Sequence, residues 1–295
     1  MVQWGAVFSR RRPPAHDTES RERTASDFHQ EDWESYDQVA EAYDRVTAER
    51  TAVPARDLVS LADIEPGQRV LDVGTGTGVA AVAAVEAVGA GGLVVGLDPS
   101  PRMIALAVPK HPEVRYVVGE ALDLPLRSAA FDAAVGNFVV AQFNRYETAL
   151  FDILRVLRPG GHLALSNWAA SEDEFGRVWR GVAEELVGRD LFRDAVRRAA
   201  PWQSKFSDPG SFEDVLKRAG LKRVRVVQRD YRFEMSLDSY LEGMETRMIA
   251  RSLQRIMGES IWERFREQVG QEFHKRFSDP IGDTRDVWFG IGRKE

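Results

Sequence analysis

A glycine-rich segment, VLDVGTGTG at residues 70–78, constrains the fold of this chain more than any other feature. Its apolar start is typical of a buried strand, and the alanine- and valine-rich residues 79–88 that follow predict a helix. Glycines in a turn of this kind let the backbone approach a bound ligand closely. The segment therefore predicts a strand–turn–helix unit of an α/β sheet, with a ligand site at the turn.

Apolar runs and helical periodicities alternate along most of the chain, which indicates a doubly wound, parallel α/β sheet. Two helices are predicted before the first strand, within residues 33–61. Although residues 79–97 carry only one charge and could be taken for a membrane span, the glycine-rich residues 89–92 divide them into a helix and a strand. The predicted strands are residues 69–73, 93–97, 114–118, 131–136, 162–166, 224–230 and 286–292, and the helices after the first strand are residues 79–88, 101–108, 146–157 and 212–219.

Composition narrows the possible partners. The 40 Lys and Arg residues against 46 Asp and Glu residues give a net charge of −6, which disfavours a nucleic-acid partner. The chain has no cysteine, and its five histidines never stand four residues apart, so no metal site is predicted.

Residues 1–27 are polar and lack periodicity, which predicts a disordered N-terminal arm before one domain over residues 28–295. Because no signal-peptide pattern is seen, we expect a cytoplasmic location.

An acidic residue ends the second predicted strand. Asp98 stands in the segment GLDPS, residues 96–100, where a carboxylate can accept hydrogen bonds from both hydroxyls of a ribose. The structural alternative is that Asp98 caps the helix that follows Pro99, but Ser100 is the better-placed N-cap. The glycine turn and Asp98 together fit either a nicotinamide dinucleotide or S-adenosylmethionine (SAM) as the cofactor.

Three further motifs separate these two cofactors. They are GEALDLPL at residues 119–126, FDAAV at residues 131–135 and LRVLRPGG at residues 154–161, in that order. With them, the chain resembles the class I SAM-dependent methyltransferases, in particular the branch with the ubiquinone and menaquinone C-methyltransferases, over residues 33–167 and the last two strands. The resemblance implies a Rossmann-like, doubly wound, seven-stranded sheet, mostly parallel with an antiparallel last strand. It also implies helical cap insertions, which we expect at about residues 170–205 and 234–283.

The resemblance also implies which residues bind SAM. Asp72 and the glycine turn would hold the methionine portion and the sugar, with Asp98 on the ribose hydroxyls. Met103 would pack on the adenine ring, and Glu120, where the family usually has Asp, would accept from the adenine amino group. The whole predicted cofactor set is Tyr36, Asp72, Gly74, Thr75, Gly76, Gly78, Asp98, Pro99, Met103, Glu120, Ala121, Asn137 and Phe138.

Two members of this set keep a structural alternative. Asn137 is as typical of a turn at the end of the fourth strand as of a cofactor contact. Tyr36 shares a face of the leading helix with Tyr43, and that helix resembles the one that folds over the cofactor in the family. Ordinary packing of an amphipathic helix accounts for Tyr36 as well as a cofactor contact does, and it is the favoured interpretation for Tyr43.

Methyl transfer from a sulfonium needs alignment and exclusion of water more than acid–base catalysis. If the acceptor must lose a proton, the candidate bases at the mouth of the site are His29, Tyr36, Glu147 and His162. Of these, His162 starts a core strand and is more typical of a structural residue.

The acceptor is expected to be a small apolar or aromatic secondary metabolite, methylated on carbon, nitrogen or oxygen. The long insertion before the last strand departs from the quinone-methylating pattern and argues against a quinone. Aromatic and thioether side chains from the less regular parts of the chain are the candidates for its pocket, although each is also typical of a core. These candidates are Trp168, Trp202, Phe206, Tyr231, Phe233, Tyr240 and Met244.

Two other classes of protein remain open. A nicotinamide oxidoreductase would need a further catalytic set such as a Tyr-x-x-x-Lys pair, which the sequence lacks. A methyltransferase fold kept only for binding would be expected to lose part of the glycine turn, Asp72 or Asp98, and all are present. The sequence therefore favours a SAM-dependent enzyme, and a SAM-using enzyme of another reaction type stays open as a further alternative.

Overall fold

The fold is built on one seven-stranded sheet. The computed structural model describes residues 34–171 and 173–295, with side chains from residue 36 onward; the predicted arm at residues 1–27 and the candidate base His29 lie outside the described residues. The strands are β1 (Arg69–Val73), β2 (Leu93–Asp98), β3 (Arg115–Val118), β4 (Phe131–Gly136), β5 (Leu157–Trp168), β6 (Lys222–Met235) and β7 (Ile281–Arg293).

The strand order, β3-β2-β1-β4-β5-β7-β6, confirms the predicted Rossmann-like architecture. Strands β1 to β5 pair in parallel, whereas β7 is antiparallel to both of its neighbours. The chain order reverses at β1, since β2 lies on one side of it and β4 on the other. Loops at the carboxyl ends of β1 and β4 therefore diverge and leave a crevice, which is where ligands bind in sheets of this kind.

Helices cover both faces of the sheet, because the strand residues alternate between them. Leu71 and Val73 join a core with α5 on one face, and Val70 joins a core with α2 and α3 on the other. A π-helical turn, Tyr43–Thr47, connects the first two helices. The helices are α1 (Glu34–Ala42), α2 (Ala48–Leu61), α3 (Val79–Val88), α4 (Pro101–Lys110), α5 (Tyr146–Val156), α6 (Glu174–Val187), α7 (Arg189–Ala199), α8 (Gln203–Ser207), α9 (Pro209–Arg218), α10 (Leu237–Glu245) and α11 (Met248–Arg276).

Helices α6, α7, α10 and α11 pack on one another around a separate apolar core and are called the cap below. They fall within the two insertions expected from the sequence. The long helix α11 is kinked at Gly258, where φ is 69°. In the part of the chain that the structure describes, no helix is both long enough and apolar enough to cross a membrane.

Strands β6 and β7 extend well beyond their predicted spans. Pairing of β7 with β5 ends at Trp168 and Val287, but β6 and β7 stay paired as far as Met235 and Ile281. The result is a two-stranded ribbon that reaches toward the cap. Polar side chains alternate along it, so its residues lack the apolar run that the sequence analysis used to find strands.

Arg155 of the LRVLRPGG motif also anchors the loop between β3 and β4. Arg155 on α5 donates to the carbonyl oxygens of Leu124 (3.0 Å) and Leu126 (2.8 Å), and its Nε lies 2.5 Å from Oδ1 of Asp152. Asp152 is buried and in turn accepts a hydrogen bond from the Leu124 amide. Because this loop carries GEALDLPL, Arg155 holds one wall of the crevice in place.

Replacing Arg155 with alanine should lower the free energy of unfolding by about 2 kcal/mol, because a buried carboxylate and two carbonyl oxygens lose a charged partner. Arg158 in the same motif is the matched control. It is 54% exposed and pairs with Asp132, so Arg158→Ala should cost less than about 1 kcal/mol. Urea unfolding of both variants measures the difference, and equal losses would contradict the assignment.

Candidate active site

The glycine turn after β1 has the conformation that its sequence predicts. Gly74 and Gly76 have φ values of 68° and 53°, in the left-handed region that favours glycine. The amides of Gly74 and Thr75 donate to the carbonyl oxygen of Leu97 at 2.8 and 3.0 Å, which ties the turn to β2. A Cβ atom at Gly74 would lie 2.4 Å from Val139, so this glycine is also required by the loop after β4.

Asp98, the last residue of β2, is held by two backbone amides. Its Oδ2 accepts from Gly76 at 2.8 Å and its Oδ1 from Ser100 at 2.9 Å. Burial raises the pKa of the carboxyl to about 6, against the opposing effect of those two hydrogen bonds. Ser100, as expected, is the cap of α4, because its hydroxyl accepts from the Met103 amide at 3.0 Å. Asp98 is therefore not the N-cap of α4.

Asp72 on β1 lies behind the turn and is fully buried. Its Oδ2 accepts from the Thr75 hydroxyl at 2.7 Å, whereas its Oδ1 has no hydrogen-bond partner among the described residues. Burial raises the pKa of this carboxyl to about 7, and the nearby charge of Asp98 adds to the effect. An unpartnered buried carboxylate oxygen is rare in folded proteins and indicates a polar partner.

A cavity opens in front of these residues, at the crevice between β1 and β4, and is called the first cavity. It encloses about 960 Å³, part of it open to solvent. Of the predicted cofactor set, Asp72, Thr75 and Gly78 lie behind its wall. The other ten line it: Tyr36, Gly74, Gly76, Asp98, Pro99, Met103, Glu120, Ala121, Asn137 and Phe138.

Phe138 is held in an unusual backbone conformation at this wall. Its φ is 57°, which is uncommon for a residue with a bulky side chain, and its amide donates to the Ser166 hydroxyl at 2.9 Å. Its ring stacks on Trp168 with 4.0 Å between ring centroids. Backbone strain of this kind is typical of functional sites.

Sequence reasoning missed several lining residues. Val73 and Leu97 are adjacent to predicted residues and could have been found from the strand ends. Gln142 lies on the turn after β4, and Met248 begins α11, a long way along the chain from every motif. No local pattern connects Met248 with the glycine turn, because only the packing of the cap brings it there.

The sheet order and the crevice at its switch point are those of the class I methyltransferase fold. The YcgJ protein from Bacillus subtilis has the same fold, with a TM-score of 0.52 and 19% sequence identity over 82% of this chain and 98% of that one. A family model described as "Methyltransferase domain" matches residues 71–165, and one for protein-L-isoaspartate(D-aspartate) O-methyltransferase matches residues 15–115.

Two relatives extend the comparison to sequence. Nocamycin O-methyltransferase from Saccharothrix syringae is 30% identical over 209 residues, which cover 66% of this chain and 74% of the relative. Demethylmenaquinone methyltransferase from Renibacterium salmoninarum is 35% identical over 162 residues, 53% of this chain and slightly less than two thirds (65%) of the relative. The chain belongs to the SAM-dependent methyltransferase family. Family membership sets aside the nicotinamide alternative.

The residues at the first cavity suit SAM. The cofactor has ribose hydroxyls that need acceptors, and a carboxylate such as Asp98 keeps lone pairs free after accepting from two amides. Its positively charged groups suit a site that buries the carboxyls of Asp72 and Asp98. The apolar side chains of Leu97 and Met103 offer a surface for a flat ring. Nothing in the lining conflicts with the predicted cofactor.

A larger cavity adjoins the first and is called the second cavity. It encloses about 1480 Å³ between the sheet, the N-terminal helices and the cap. Five residues line both cavities and are called the junction: Tyr36, Tyr43, Phe138, Gln142 and Met248. The two cavities are therefore neighbours that have these five side chains in common.

Two of the seven predicted acceptor residues, Trp168 and Tyr240, line the second cavity. The other five line neither cavity. Aromatic and thioether residues suit a core as well as a cavity, and the described contacts of these five are packing contacts and hydrogen bonds with neighbouring residues. They are Trp202 and Phe206 beside Tyr146, Tyr231 with its hydroxyl on Asp57, Phe233 under Arg50, and Met244 inside the cap.

Of the three candidate bases that the structure describes, Tyr36 alone reaches the junction. Its hydroxyl donates to Oε1 of Gln142 at 2.6 Å. Nδ1 of His162 lies 3.0 Å from the carbonyl oxygen of Ala62, which is a structural contact with the end of α2. Glu147 is exposed at the start of α5 and lines neither cavity. Burial raises the pKa of Tyr43 well above its usual value, so this hydroxyl stays protonated.

If Asp98 accepts the ribose hydroxyls as predicted, Asp98→Ala should weaken SAM binding by about 2–3 kcal/mol, because charge-assisted hydrogen bonds are lost. Isothermal titration calorimetry with SAM and with S-adenosylhomocysteine measures the change in binding free energy. Asp98→Asn, which keeps the shape of the side chain, should fall between the wild type and the alanine variant. Unchanged affinity in the alanine variant would overturn the ribose assignment.

The affinity for SAM should also depend on pH. The ionised carboxylate is the better acceptor, and the pKa of Asp98 is raised to about 6, so affinity is present above that pH and is lost below it. We expect binding to weaken by up to about tenfold per pH unit between pH 6 and pH 5. Titrations across this range test the expectation, and the dependence should become shallower in Asp98→Asn. A flat wild-type profile would contradict it.

Proposed function

We propose that this protein transfers the methyl group of SAM to an oxygen atom of a small apolar or aromatic acceptor, a secondary metabolite held in the second cavity. The observation that carries the proposal is the junction, where one set of five side chains lines both cavities. A donor and an acceptor can thus meet in one enclosed space. Proximity and orientation are the main contributions an enzyme makes to this kind of displacement.

The lining of the second cavity supports an apolar or aromatic acceptor. Trp168, stacked on Phe138, forms part of its wall, and Met235, Met248 and Ile249 add flexible apolar surface. Such walls suit a ring system better than a sugar or a polar peptide. Hydroxyl and amide groups between them, such as Ser239 and Gln203, can fix its orientation.

At the first cavity we assign the predicted roles to individual residues. Asp98 holds the ribose hydroxyls and Met103 packs on adenine. The glycine turn, which Asp72 supports from behind through Thr75, holds the methionine portion. When bound, SAM supplies a methyl group on a positively charged sulfur that an acceptor atom can displace. Glu120 is exposed at the rim, where its longer side chain can reach the adenine amino group.

The junction keeps water from the reacting atoms and holds its own shape. Tyr36 donates to Gln142, and the amide of Gln142 donates to the carbonyl oxygen of Phe138 at 2.8 Å. Among the described residues that line the junction, tyrosine is the one ionisable type. This favours an acceptor oxygen that is already acidic and needs no strong base, rather than an unactivated carbon.

Nocamycin O-methyltransferase, the relative whose match covers more of this chain, supports oxygen as the methylated atom. The match to nocamycin O-methyltransferase extends over 66% of this chain, and the match to demethylmenaquinone methyltransferase over 53%. The long cap segment before β7 also argues against a quinone, as expected from the sequence. A scaffold without catalysis is disfavoured, because Asp72, Asp98 and the glycines of the turn are all present.

A test begins with SAM and a panel of phenols, enols and aromatic carboxylic acids. Mass spectrometry should detect S-adenosylhomocysteine together with an acceptor that has gained one methyl group on oxygen, and Asp98→Ala should suppress both. Methylation on carbon or nitrogen would contradict the assignment to oxygen. Binding of SAM with no transfer to any acceptor, in the panel or in a total metabolite extract, would favour the scaffold.

With an acceptor in hand, Trp168→Ala should raise KM for it by about tenfold or more, since a buried aromatic contact of roughly 1.5–3 kcal/mol is lost. The affinity for S-adenosylhomocysteine should change little. Trp202→Ala is the matched control, because Trp202 packs on Tyr146 and lines neither cavity, so this substitution should leave KM unchanged. Equal effects of the two substitutions on KM would contradict the assignment of the second cavity.

A further inference from the structure

The second cavity is positively charged. Three arginines line it: Arg50 from α2, Arg247 from the start of α11, and Arg285 from the β6–β7 ribbon. Among residues 34–171 and 173–295, no aspartate or glutamate lines it. Arginine side chains are strongly solvated in water, so their presence on the wall of a largely apolar cavity requires compensation.

The positive charges of two of the three arginines are balanced by carboxylates that lie behind the cavity wall. Asp283, only 1% exposed, forms ion pairs with Arg50 and with Arg285, whose Nε lies 2.7 Å from Oδ1 of Asp283. Asp173 forms a second ion pair with Arg285. Burial lowers the pKa of Arg50 to about 10, an effect that Asp283 opposes and that the positive charges of Arg247 and Arg285 strengthen.

Among the described residues, Arg247 has no such partner. Its guanidinium forms no hydrogen bond or ion pair with any residue that the structure describes, although it is partly buried at the cavity wall. Three arginines facing two carboxylates leave one uncompensated positive charge, and the geometry assigns that charge to Arg247. A free guanidinium at a cavity wall is a ready partner for a carboxylate or phosphate, which it can bind through two parallel hydrogen bonds.

The backbone amides beside Arg247 add to the positive electrostatic potential of the second cavity. Arg247 is the N-cap of α11, a position at which no side chain accepts a hydrogen bond from the first turn, and the first turn contains no acidic residue. Met248 and Ile249, the first residues of α11, also line the second cavity. Uncapped amides at a helix N-terminus attract anions. Here they reinforce a site that rests on the cavity and the free arginine.

We propose that the acceptor carries an anionic group, a carboxylate or a phosphate, which binds Arg247 and the first turn of α11 while another atom of the acceptor is methylated. The arginines line the second cavity alone, whereas the junction contains none. The anion is therefore an anchor that orients the acceptor, distinct from the reacting oxygen. This inference rests on the proposed function, since it assigns a substrate class to the same cavity.

The test uses probes of one shape and different charge: naphthalene carboxylate and naphthyl phosphate against neutral naphthalene carboxamide. Each is titrated calorimetrically into the full-length protein, with and without saturating S-adenosylhomocysteine. At least one anion should bind about tenfold or more tightly than the amide, as expected for one charge-assisted contact in a partly buried site. Arg247→Gln should remove that advantage without changing the affinity for the amide.

Two variants serve as controls. Arg247→Lys keeps the charge and should retain part of the preference for anions. Arg264→Gln removes the same charge from an exposed position on the same helix and should retain all of it. Thermal unfolding of the four proteins checks that the substitutions leave the fold intact.

The proposal is overturned if neither anion binds more tightly than the amide, or if Arg247→Gln leaves the preference unchanged. It is also overturned if Arg264→Gln removes the preference as fully as Arg247→Gln does. Titration with S-adenosylhomocysteine separates these results from failure of the proposed function. If the wild type binds S-adenosylhomocysteine but shows no preference for anions, only the proposed anion site is contradicted. If the wild type does not bind S-adenosylhomocysteine, the proposed methyltransferase function is contradicted as well.

Discussion

The site depends on the burial of two carboxylates at the carboxyl ends of adjacent strands. Asp72 on β1 and Asp98 on β2 are almost inaccessible to solvent, and burial raises the pKa of each above its ordinary value. Ionisation of these two carboxyls therefore lowers the free energy of unfolding near neutral pH, because the same groups ionise more readily in the unfolded chain. The glycine turn limits this penalty by directing the Gly76 amide at Asp98 and the Thr75 hydroxyl at Asp72. Groups retained in this state are typical of functional sites.

Much of the cofactor half could be predicted from the sequence, because its information is local. Each predicted cofactor residue except Tyr36 lies at the end of a strand or on the helix or loop that follows it, and apolar runs locate those strands. The acceptor half could not be predicted in this way. Phe206 and Trp168 are both aromatic, but Phe206 is enclosed between Tyr146 and Phe212 while Trp168 faces the second cavity. Only the packing of helices far apart in the chain decides between core and cavity. The extension of β6 into the ribbon contains no apolar run. Its strand signal is the alternation of Tyr231, Phe233 and Met235 with polar residues, which a search for apolar runs does not find.

The cap and the N-terminal helices meet above the junction, although about 200 residues separate them in the chain. The hydroxyl oxygens of Thr47 and Thr246 lie 2.9 Å apart, and Arg251 of α11 lies over the ring of Tyr36, 3.7 Å from its centre. Tyr36 in turn is hydrogen-bonded to Gln142 beyond β4. Three distant parts of the chain thus share one small contact region. A change in how the cap packs would alter the acceptor cavity and the cover of the cofactor together, which couples acceptor binding to exclusion of water.

Charge distribution, rather than total charge, describes what this cavity can bind. The chain has a net charge of −6, which disfavours large polyanions at its surface. The wall of the second cavity nevertheless has the opposite sign, since its arginines face inward and the carboxylates of Asp173 and Asp283 stand behind them. In a confined, partly apolar space one uncompensated charge is screened less than on the surface. A small anion can therefore be selected by a protein whose exterior repels large ones, and an apolar body can be accepted alongside it, because Trp168 and Met235 line the same space as Arg247.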